Sequence, residues 1–286
     1  QPGMEGGNAF ADILSGKVNP SGKLADTWAY KYEDYPSSEK FSHNNGNVET
    51  ELYDEGIYVG YRYFDTFEVP VRYGFGYGLS YTDFEITGCA LKAVSAEKIR
   101  VTATVRNTGN VSGKEVVQVY ASLPGGILEK EAHRLAAYAK TNELKPGEAQ
   151  EVTMEVKMDG LTSYDEKRAA WILESGFYGI WVGNSLASAK LCGGIKLDQE
   201  VIRRQVRNLF PLKQELEEIS QEASKTAKRA AAAAQQAKEE ELTVLNIRGA
   251  DIATETVEYK KNADLYEKEA MDFVNTLSEE ELIDLA

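Results

Sequence analysis

Apolar and polar positions alternate over short runs between residues 82 and 198. In "KIRVTATVRNTG", Ile99, Val101, Ala103 and Val105 fall on one face, and polar or charged residues fall on the other. This period of two is typical of a strand with one buried face. Similar runs recur about every eight to twelve residues, with turn sequences and no helical stretch between them. We therefore predict an antiparallel β-sandwich over residues 82–198.

The first 81 residues are rich in glycine, asparagine and tyrosine. The stretch from Asn8 to Leu14, which ends before Gly16, has the start and stop signals of a short helix. Residues 33–52 show little periodicity and are mostly polar, which indicates a surface loop. Within the run "GIYVGYRYF", residues 57–64 alternate in the manner of a strand.

Residues 199–286 have helical periodicity. After Pro211, apolar or alanine positions recur at steps of three and four as far as Ala237, which predicts a helix of roughly thirty residues. Because its face changes from leucine to alanine, it buries little area, and a spacer is favoured over a partner helix. In "TLSEEELIDLA", Ser278 and Glu281 have the spacing of a capping box.

Charge and composition exclude several classes of function. The net charge of −14 argues against nucleic acid and against an anionic membrane surface, whereas neutral ligands stay open. No run of eighteen apolar residues is present. Two cysteines, Cys89 and Cys192, are compatible with one bridge or with two buried thiols, and we favour the thiols. With His43 and His133 as the only histidines, neither a metal site nor a cofactor is predicted.

"PGMEGGNAFADILSGKVNPSGKL", "EGIYVGYRYFDTF" and "YGFGYGLSYTDFE" follow one another in the first 85 residues. They resemble the end of the α/β sandwich domain, and the connection that leaves that domain, in glycoside hydrolase family 3, the β-glucosidase and β-xylosidase family. "VRNTGNVSGKEVVQVYASLP", "LKPGEAQEVTMEV" and "SYDEKRAAWILESGFYGIWVGNS" resemble its fibronectin type III-like domain. "AMDFVNTLSEEELIDLA" resembles the helix that opens its (β/α)8 barrel.

The order of these motifs resembles the circularly rearranged subgroup of the family, in which the barrel comes last. The resemblance implies three parts: the end of an α/β sandwich domain over 1–81, the fibronectin type III-like domain over 82–198, and linker helices with the start of a barrel over 199–286. The fold class is mainly β, with a partial α/β segment before the sandwich and helices after it. We expect the chain to be the middle of a longer protein, with exposed apolar side chains in residues 1–30.

The resemblance also bears on catalysis. A retaining glycosidase needs a carboxylate nucleophile and a carboxylic acid about 5 Å apart. In this family the barrel supplies the nucleophilic aspartate, and an earlier part of the α/β sandwich domain supplies the acid/base glutamate. No residue here matches either motif, so we predict no catalytic residue. The expected partners are the remaining domains of the parent enzyme and a small β-linked oligosaccharide or glycoside.

The run "YDEGIYVGYRYFDTFEVPVRYGFGYGLSY", residues 53–81, contains the candidate binding residues. Its aromatic rings suit either a sugar surface or a seam between domains, and packing is favoured because alternation sends rings to both faces. Its alternating glycines favour close backbone contact over a nucleotide loop. The substrate-side candidates are Glu5, Tyr53, Glu55 and Tyr58. Alternatively, the Glu5 carboxylate accepts hydrogen bonds from backbone N–H groups at the start of the helix that follows it.

We thus predict a non-catalytic structural portion of a retaining β-glycosidase, whose parent removes terminal β-D-glucosyl or β-xylosyl units. The alternative is a stand-alone β-sandwich module that binds carbohydrate or protein. The apparent lack of disulfides favours the cytoplasm.

Overall fold

The computed structural model describes residues 3–212, 216–257 and 263–278. Its helices are α1 (Gly6–Leu14), α2 (Tyr61–Thr66), α3 (Ala223–Glu239) and α4 (Ala263–Val274). Its strands are β1 (Trp28–Ala29), β2 (Val71–Tyr73), β3 (Phe84–Ser95), β4 (Lys98–Asn107), β5 (Val116–Ser122), β6 (Arg134–Lys140), β7 (Ala149–Lys157), β8 (Ser163–Asp165), β9 (Ala170–Leu173), β10 (Gly176–Gly183), β11 (Lys190–Leu197), β12 (Val201–Gln205), β13 (Thr243–Ile247) and β14 (Glu255–Thr256).

Two sheets form the sandwich. One has the order β3-β4-β7, and the other has the order β13-β11-β10-β5-β6. Side chains of β4 (Ile99, Val101) pack in one buried core with side chains of β5 (Val119), β10 (Ile180) and β11 (Ile195). The inward face of β4 is the face that the alternation predicts, so the predicted sandwich is confirmed. The remaining strands form a smaller sheet, β14-β12-β9-β8, and the two-stranded sheet β1-β2.

A disulfide joins the two sheets of the sandwich. Cys89 on β3 and Cys192 on β11 are bonded, with their Cα atoms 5.8 Å apart. The preference for two free thiols was therefore wrong. The cysteines are 103 residues apart in sequence, and only the packing of β3 against β11 brings them together. Because the favoured cytoplasmic location rested on a lack of disulfides, that argument no longer applies.

The segment predicted as a strand over residues 57–64 is a turn followed by helix α2, so that prediction was wrong. Gly60 has a positive φ of 60° directly before the helix, a conformation that glycine adopts without strain. The helix buries Phe64 and Thr66. Phe64 packs edge-to-face on Tyr35 with ring centroids 5.3 Å apart. Alternation was misleading here because six of the eight positions are aliphatic or aromatic, so a period of two and a helical period fit equally well.

Helix α3 is shorter than predicted and packs against the sandwich. It spans 17 residues instead of roughly thirty. Ala233 and Ala237 are buried against Leu191 of β11, with Phe177 and Trp181 of β10 beside them. The preference for a spacer was therefore wrong. Alanine leaves room for a close approach of the helix to the sheet, and the burial comes from the larger residues of the strands.

Of the two helices predicted after the sandwich, the alanine-rich one is present as α3, and the one predicted to begin at Ser278 continues outside the described residues. Three strands, β12, β13 and β14, also lie in this part of the chain. Strand β13 pairs in parallel with β11, so β11, α3 and β13 form a crossover unit. Strands β12 and β14 also pair in parallel. None of these strands was predicted. The proposed capping partner of Ser278, Glu281, lies outside the described residues.

Helix α1 confirms the predicted short helix and extends it by two residues at its start. Gly16, with φ of 75°, follows its end as the stop signal indicated. The helix buries none of its residues, and the side chains of Phe10 and Leu14 are 64% and 67% exposed. Exposed apolar side chains were expected in residues 1–30, and they are found there.

Candidate functional site

The tyrosine-rich run packs onto the sandwich through an aromatic seam made of Tyr61, Phe75 and Tyr120. The rings of Tyr61 and Phe75 lie 4.4 Å apart, and Tyr120 of β5 lies 6.5 Å from Tyr61 and 6.4 Å from Phe75. The Tyr61 hydroxyl accepts a hydrogen bond of 2.9 Å from the backbone N–H of Leu135. These rings bind one another and the sheet, which is the packing role favoured from the sequence.

Glycine permits the close approach at this seam. Gly76 is buried with φ of 79°, and a Cβ there would lie 2.3 Å from Oε1 of Gln118. A Cβ on Gly78 would lie 2.5 Å from the carbonyl oxygen of Gly22. The predicted use of the alternating glycines in close contact is confirmed at these two positions. Lys23 adds an ion pair of 2.7 Å with the buried Glu115.

A second group of rings surrounds Tyr58. The ring of Phe67 lies 5.0 Å from Tyr58 at an interplanar angle of 76°, and Tyr63 lies 5.1 Å from Phe67. Tyr58 is fully buried, so its ring offers no face to a ligand. Tyr58, one of the four substrate-side candidates, thus lies beneath the surface and next to the segment that carries Tyr53 and Glu55.

The hydroxyl of Tyr58 is the centre of a polar network. It donates a hydrogen bond to the Glu129 carboxylate and accepts one of 2.9 Å from Nε2 of Gln221. Burial and the neighbouring Glu129 carboxylate raise the pKa of Tyr58. The tyrosine therefore stays neutral over the ordinary pH range and acts as a hydrogen-bonding centre.

Tyr53 and Glu55 lie close to Tyr58 along the chain but are more accessible. Tyr53 is 79% exposed, and Glu55 is half-buried. The carbonyl of Glu55 accepts a hydrogen bond of 3.0 Å from the N–H of Tyr58. Between them, Asp54 forms an ion pair with Lys40, whose pKa the Asp54 carboxylate raises. The exposed ring of Tyr53 is free to meet a ligand or another domain.

Glu5 lies apart from this group. It precedes α1 and is exposed, and its Oε2 accepts a hydrogen bond of 2.6 Å from Nδ2 of Asn8. Its side chain makes no capping hydrogen bond to the helix backbone. In the described part of the chain, no hydrogen bond or ion pair connects Glu5 with Tyr53, Glu55 or Tyr58. The structure thus gathers three of the four candidates and leaves the first one separate.

Charged residues buried next to Tyr58 have no counterpart in the sequence predictions. Lys130 is 2% exposed and forms an ion pair with Glu174, whose Oε1 also accepts a hydrogen bond of 2.7 Å from the N–H of Ile127. Glu131 is bound by Arg134 at 2.6 Å. The run "LEKEAHR" is the pattern of a solvated loop, so no sequence signal marks these charges as buried. Each of these two carboxylates is paired with a cation, so we interpret the buried charges as part of the packing and not as a binding or catalytic group.

Two open clefts flank the aromatic seam. One of about 350 Å³ lies beside α2 and is lined by Phe64, Asp65 and Leu186, and Asp65 pairs with His133 at 2.8 Å. Another of about 340 Å³ is lined by Trp28 and by Tyr73 and Tyr77. The rings of the second cleft are inclined to one another, by 71° between Trp28 and Tyr73 and by 39° between Tyr73 and Tyr77. This inclination differs from the coplanar row that a sugar platform requires.

Two further findings concern the described residues alone. No group of three or more His, Cys, Asp and Glu side chains among them is placed to hold a metal ion. No described helix is long and apolar enough to span a membrane.

Comparison with known proteins matches two segments of the chain. Residues 1–61 match the glycosyl hydrolase family 3 C-terminal domain, and residues 115–186 match the fibronectin type III-like domain. The seam joins these two segments, since Tyr61 belongs to the first and Tyr120 to the second.

Individual relatives agree with this assignment. The chain is 45% identical over 230 residues to Beta-glucosidase A of Butyrivibrio fibrisolvens, covering 73% of this chain and 27% of the relative. It is 42% identical over 183 residues to an exo-alpha-(1->6)-L-arabinopyranosidase of Bifidobacterium breve, covering 64% and 24%. Among solved structures, beta-glucosidase 3B from Thermotoga neapolitana in complex with alpha-D-glucose matches with a TM-score of 0.65 and 42% identity, covering 69% and 27%.

The fold and the seam define a β-sandwich scaffold of the fibronectin type III-like class. The motifs, the two matched domains and the relatives all point to one family, and the chain belongs to glycoside hydrolase family 3. It spans about a quarter of the length of the relatives that it matches.

Proposed function

We propose that the chain is the non-catalytic structural portion of a retaining β-glycosidase and holds the catalytic domains in register. The observation that carries the proposal is the seam itself. Tyr61 and Phe75 pack edge-to-face on Tyr120, and Lys23 pairs with Glu115. The segment before the sandwich and the sandwich itself therefore form one packed unit. A scaffold that fixes two domains relative to each other needs such a junction.

The proposed parent reaction is hydrolysis of terminal non-reducing β-D-glucosyl or β-xylosyl units with retention, without a cofactor. Relatives named as beta-glucosidases support the glucosyl preference. A relative named as an arabinopyranosidase, with comparable identity, shows that this scaffold also occurs with another sugar specificity. We further propose that the α/β sandwich and barrel domains are its partners, in the rearranged order. The exposed apolar face of α1 supports a neighbouring domain.

The test compares the chain with its full-length parent. We expect the parent to hydrolyse 4-nitrophenyl β-D-glucopyranoside or the xyloside, and the chain alone to hydrolyse neither. Hydrolysis by the chain alone would show that it is catalytic. A parent without glycosidase activity would contradict the proposed reaction.

The alternative is a stand-alone β-sandwich module that binds carbohydrate or protein. One observation favours a carbohydrate ligand: Trp28 and Tyr77 are exposed in an apolar cleft. The inclined rings count against it. Titration of the chain with cellobiose and xylobiose, followed by tryptophan fluorescence, decides between the two. No change at millimolar sugar would exclude the binding module.

A further inference from the structure

A short segment after the sandwich lies across the candidate substrate-side residues. We call residues 216–221 the strap. The N–H of Ile219 donates a hydrogen bond of 2.9 Å to the carbonyl oxygen of Asp54. Glu218 lies so close to the chain that a Cβ on Gly56 would be 2.8 Å from its Oε2. The strap therefore contacts the backbone on both sides of Glu55.

Gln221, at the end of the strap, ties it to the buried side of the same region. Its Nε2 donates hydrogen bonds to the Tyr58 hydroxyl, at 2.9 Å, and to the carbonyl of Lys130. Its Oε1 accepts a hydrogen bond of 2.7 Å from Arg229 of α3. Gln221 is 8% exposed, so its amide is satisfied by protein groups that water reaches poorly.

Glu129 closes the network from the sandwich. Its carboxylate accepts hydrogen bonds from the hydroxyl of Tyr58 and, at 2.5 Å, from Oγ of Ser220. Tyr58, Glu129 and Gln221 thus form what we call the lock, in which three distant parts of the chain share one set of hydrogen bonds. Loss of Gln221 deprives the buried Tyr58 hydroxyl and the Lys130 carbonyl oxygen of one hydrogen bond each. A buried polar group that loses a partner costs more than the bond itself contributes.

We infer that the lock positions the segment 53–55, and that Gln221 is a positioning residue for substrate binding at Tyr53 and Glu55. The second part of the inference rests on the proposed function, whereas the first does not. Through Arg229 the lock also connects this segment to α3, which packs on β10 and β11. The strap therefore couples the position of α3 to the position of residues 53–55.

Hydrogen exchange of the chain tests the first part. The variants are Gln221→Leu, which removes the amide, and Gln221→Glu, which keeps the size and the acceptor but removes the two donated hydrogen bonds. The matched control is Gln235→Leu in α3, where the exposed amide binds only Glu239 among the described contacts. The reporters are the amides of Ile219 and Tyr58.

In both Gln221 variants we expect these two amides to exchange about tenfold faster or more, while the amide of Val101 in β4 keeps its rate. The control should match the unaltered chain. Equal acceleration of Val101 would mean general destabilisation and would overturn the positioning role. Unaltered exchange of Ile219 in Gln221→Glu would show that the donated hydrogen bonds do not hold the strap.

The second part is measured in a full-length enzyme that contains this chain. Gln221→Glu should raise KM for 4-nitrophenyl β-D-glucopyranoside about fivefold and leave kcat within about twofold, because it disturbs binding more than chemistry. An unchanged KM together with faster Ile219 exchange would overturn the role in substrate binding. An unaltered enzyme without glycosidase activity would instead contradict the proposed function, and the exchange results would stand.

Discussion

Cys89 on β3 and Cys192 on β11 are bonded across the two sheets of the sandwich, next to the buried Leu91 and Ile195. The bond closes a loop with a sequence separation of 103 residues, which includes most of the sandwich strands. It restricts the unfolded chain strongly, and it joins the sheet that carries β13 to the sheet that carries β4.

Loss of this disulfide should destabilise the chain. We expect Cys89→Ala with Cys192→Ala to lower the free energy of unfolding by about 2–4 kcal/mol, because the unfolded chain regains its freedom. Urea unfolding with and without reductant is the measurement. Reductant should lower the stability of the unaltered chain and leave the double variant unchanged. Equal stability of all samples would show that the bond contributes nothing.

The buried pair of Lys130 and Glu174 should be sensitive to removal of one partner. Glu174→Gln leaves the Lys130 ammonium buried without its carboxylate, so we expect a loss of about 3–5 kcal/mol in unfolding free energy. Lys130→Met combined with Glu174→Gln should recover part of that loss, since no unpaired charge is left and the glutamine still accepts from Ile127. A double variant as unstable as the single one would contradict the role of the charge.

Glu131 predicts a pH dependence of stability. Burial alone would raise the pKa of this carboxyl, but hydrogen bonds and charge from Arg134, with Arg62 nearby, hold it below the ordinary value of 4.5. The unfolded chain therefore binds the proton first as the pH falls. Stability from this group is complete above pH 4.5 and declines below it, through the lowered pKa.

The measurement for Glu131 is the free energy of unfolding as a function of pH. Below the ordinary pKa of the carboxyl, the unaltered chain should lose stability more steeply than Glu131→Gln, which cannot titrate there. Parallel curves for the two proteins would show that Glu131 has the same pKa in both states.

The packing of α3 on the sandwich can be tested with a pair of neighbouring alanines. Ala233 is 3% exposed, whereas Ala232 is exposed. Ala233→Glu places a charge against Leu191, and we expect it to lower the unfolding free energy by about 2–3 kcal/mol. Ala232→Glu should change it by less than about 0.5 kcal/mol. Similar effects of both substitutions in thermal unfolding would show that the helix is not held on the sheet.

Tyr53 is the candidate that a ligand can reach most easily. In a full-length enzyme, Tyr53→Ala should raise KM about fivefold through loss of one stacked ring, which corresponds to about 1 kcal/mol. Tyr138→Ala is the matched control, since Tyr138 on β6 is also exposed, at 70%. Steady-state kinetics with a β-glucoside provide the comparison. An unchanged KM in Tyr53→Ala would remove this residue from the proposed site.

The sandwich was predictable because its determinants are local. The alternation of Ile99, Val101, Ala103 and Val105 in β4 reports directly which face is buried, and the structure buries all four. The family motifs were equally readable, since they are contiguous. Helix α2 at Tyr61–Thr66 could not be predicted, because its run of aliphatic and aromatic residues fits the period of a strand and that of a helix. The burial of Phe64 against the rest of the protein decides between them.

The remaining features depend on residues far apart in the chain. The disulfide required the distance between β3 and β11, and β13 became a strand only through its pairing with β11. The lock was also unpredictable from the sequence, since Tyr58 and Gln221 are 163 positions apart. Tyr58 was named from the sequence as a substrate-side candidate, whereas its partners, Glu129 and Gln221, have no motif that marks them.

Strand β13 covers the edge of β11 along residues 243–247, although it comes from beyond helix α3. A fragment ended at residue 198, where the sequence places the limit of the sandwich, would leave the N–H and C=O groups of β11 bare. Such an edge pairs readily with strands of other molecules. The excised sandwich should therefore self-associate more readily than a fragment continued through Ile247, in which β11 is paired and α3 covers Leu191, Phe177 and Trp181.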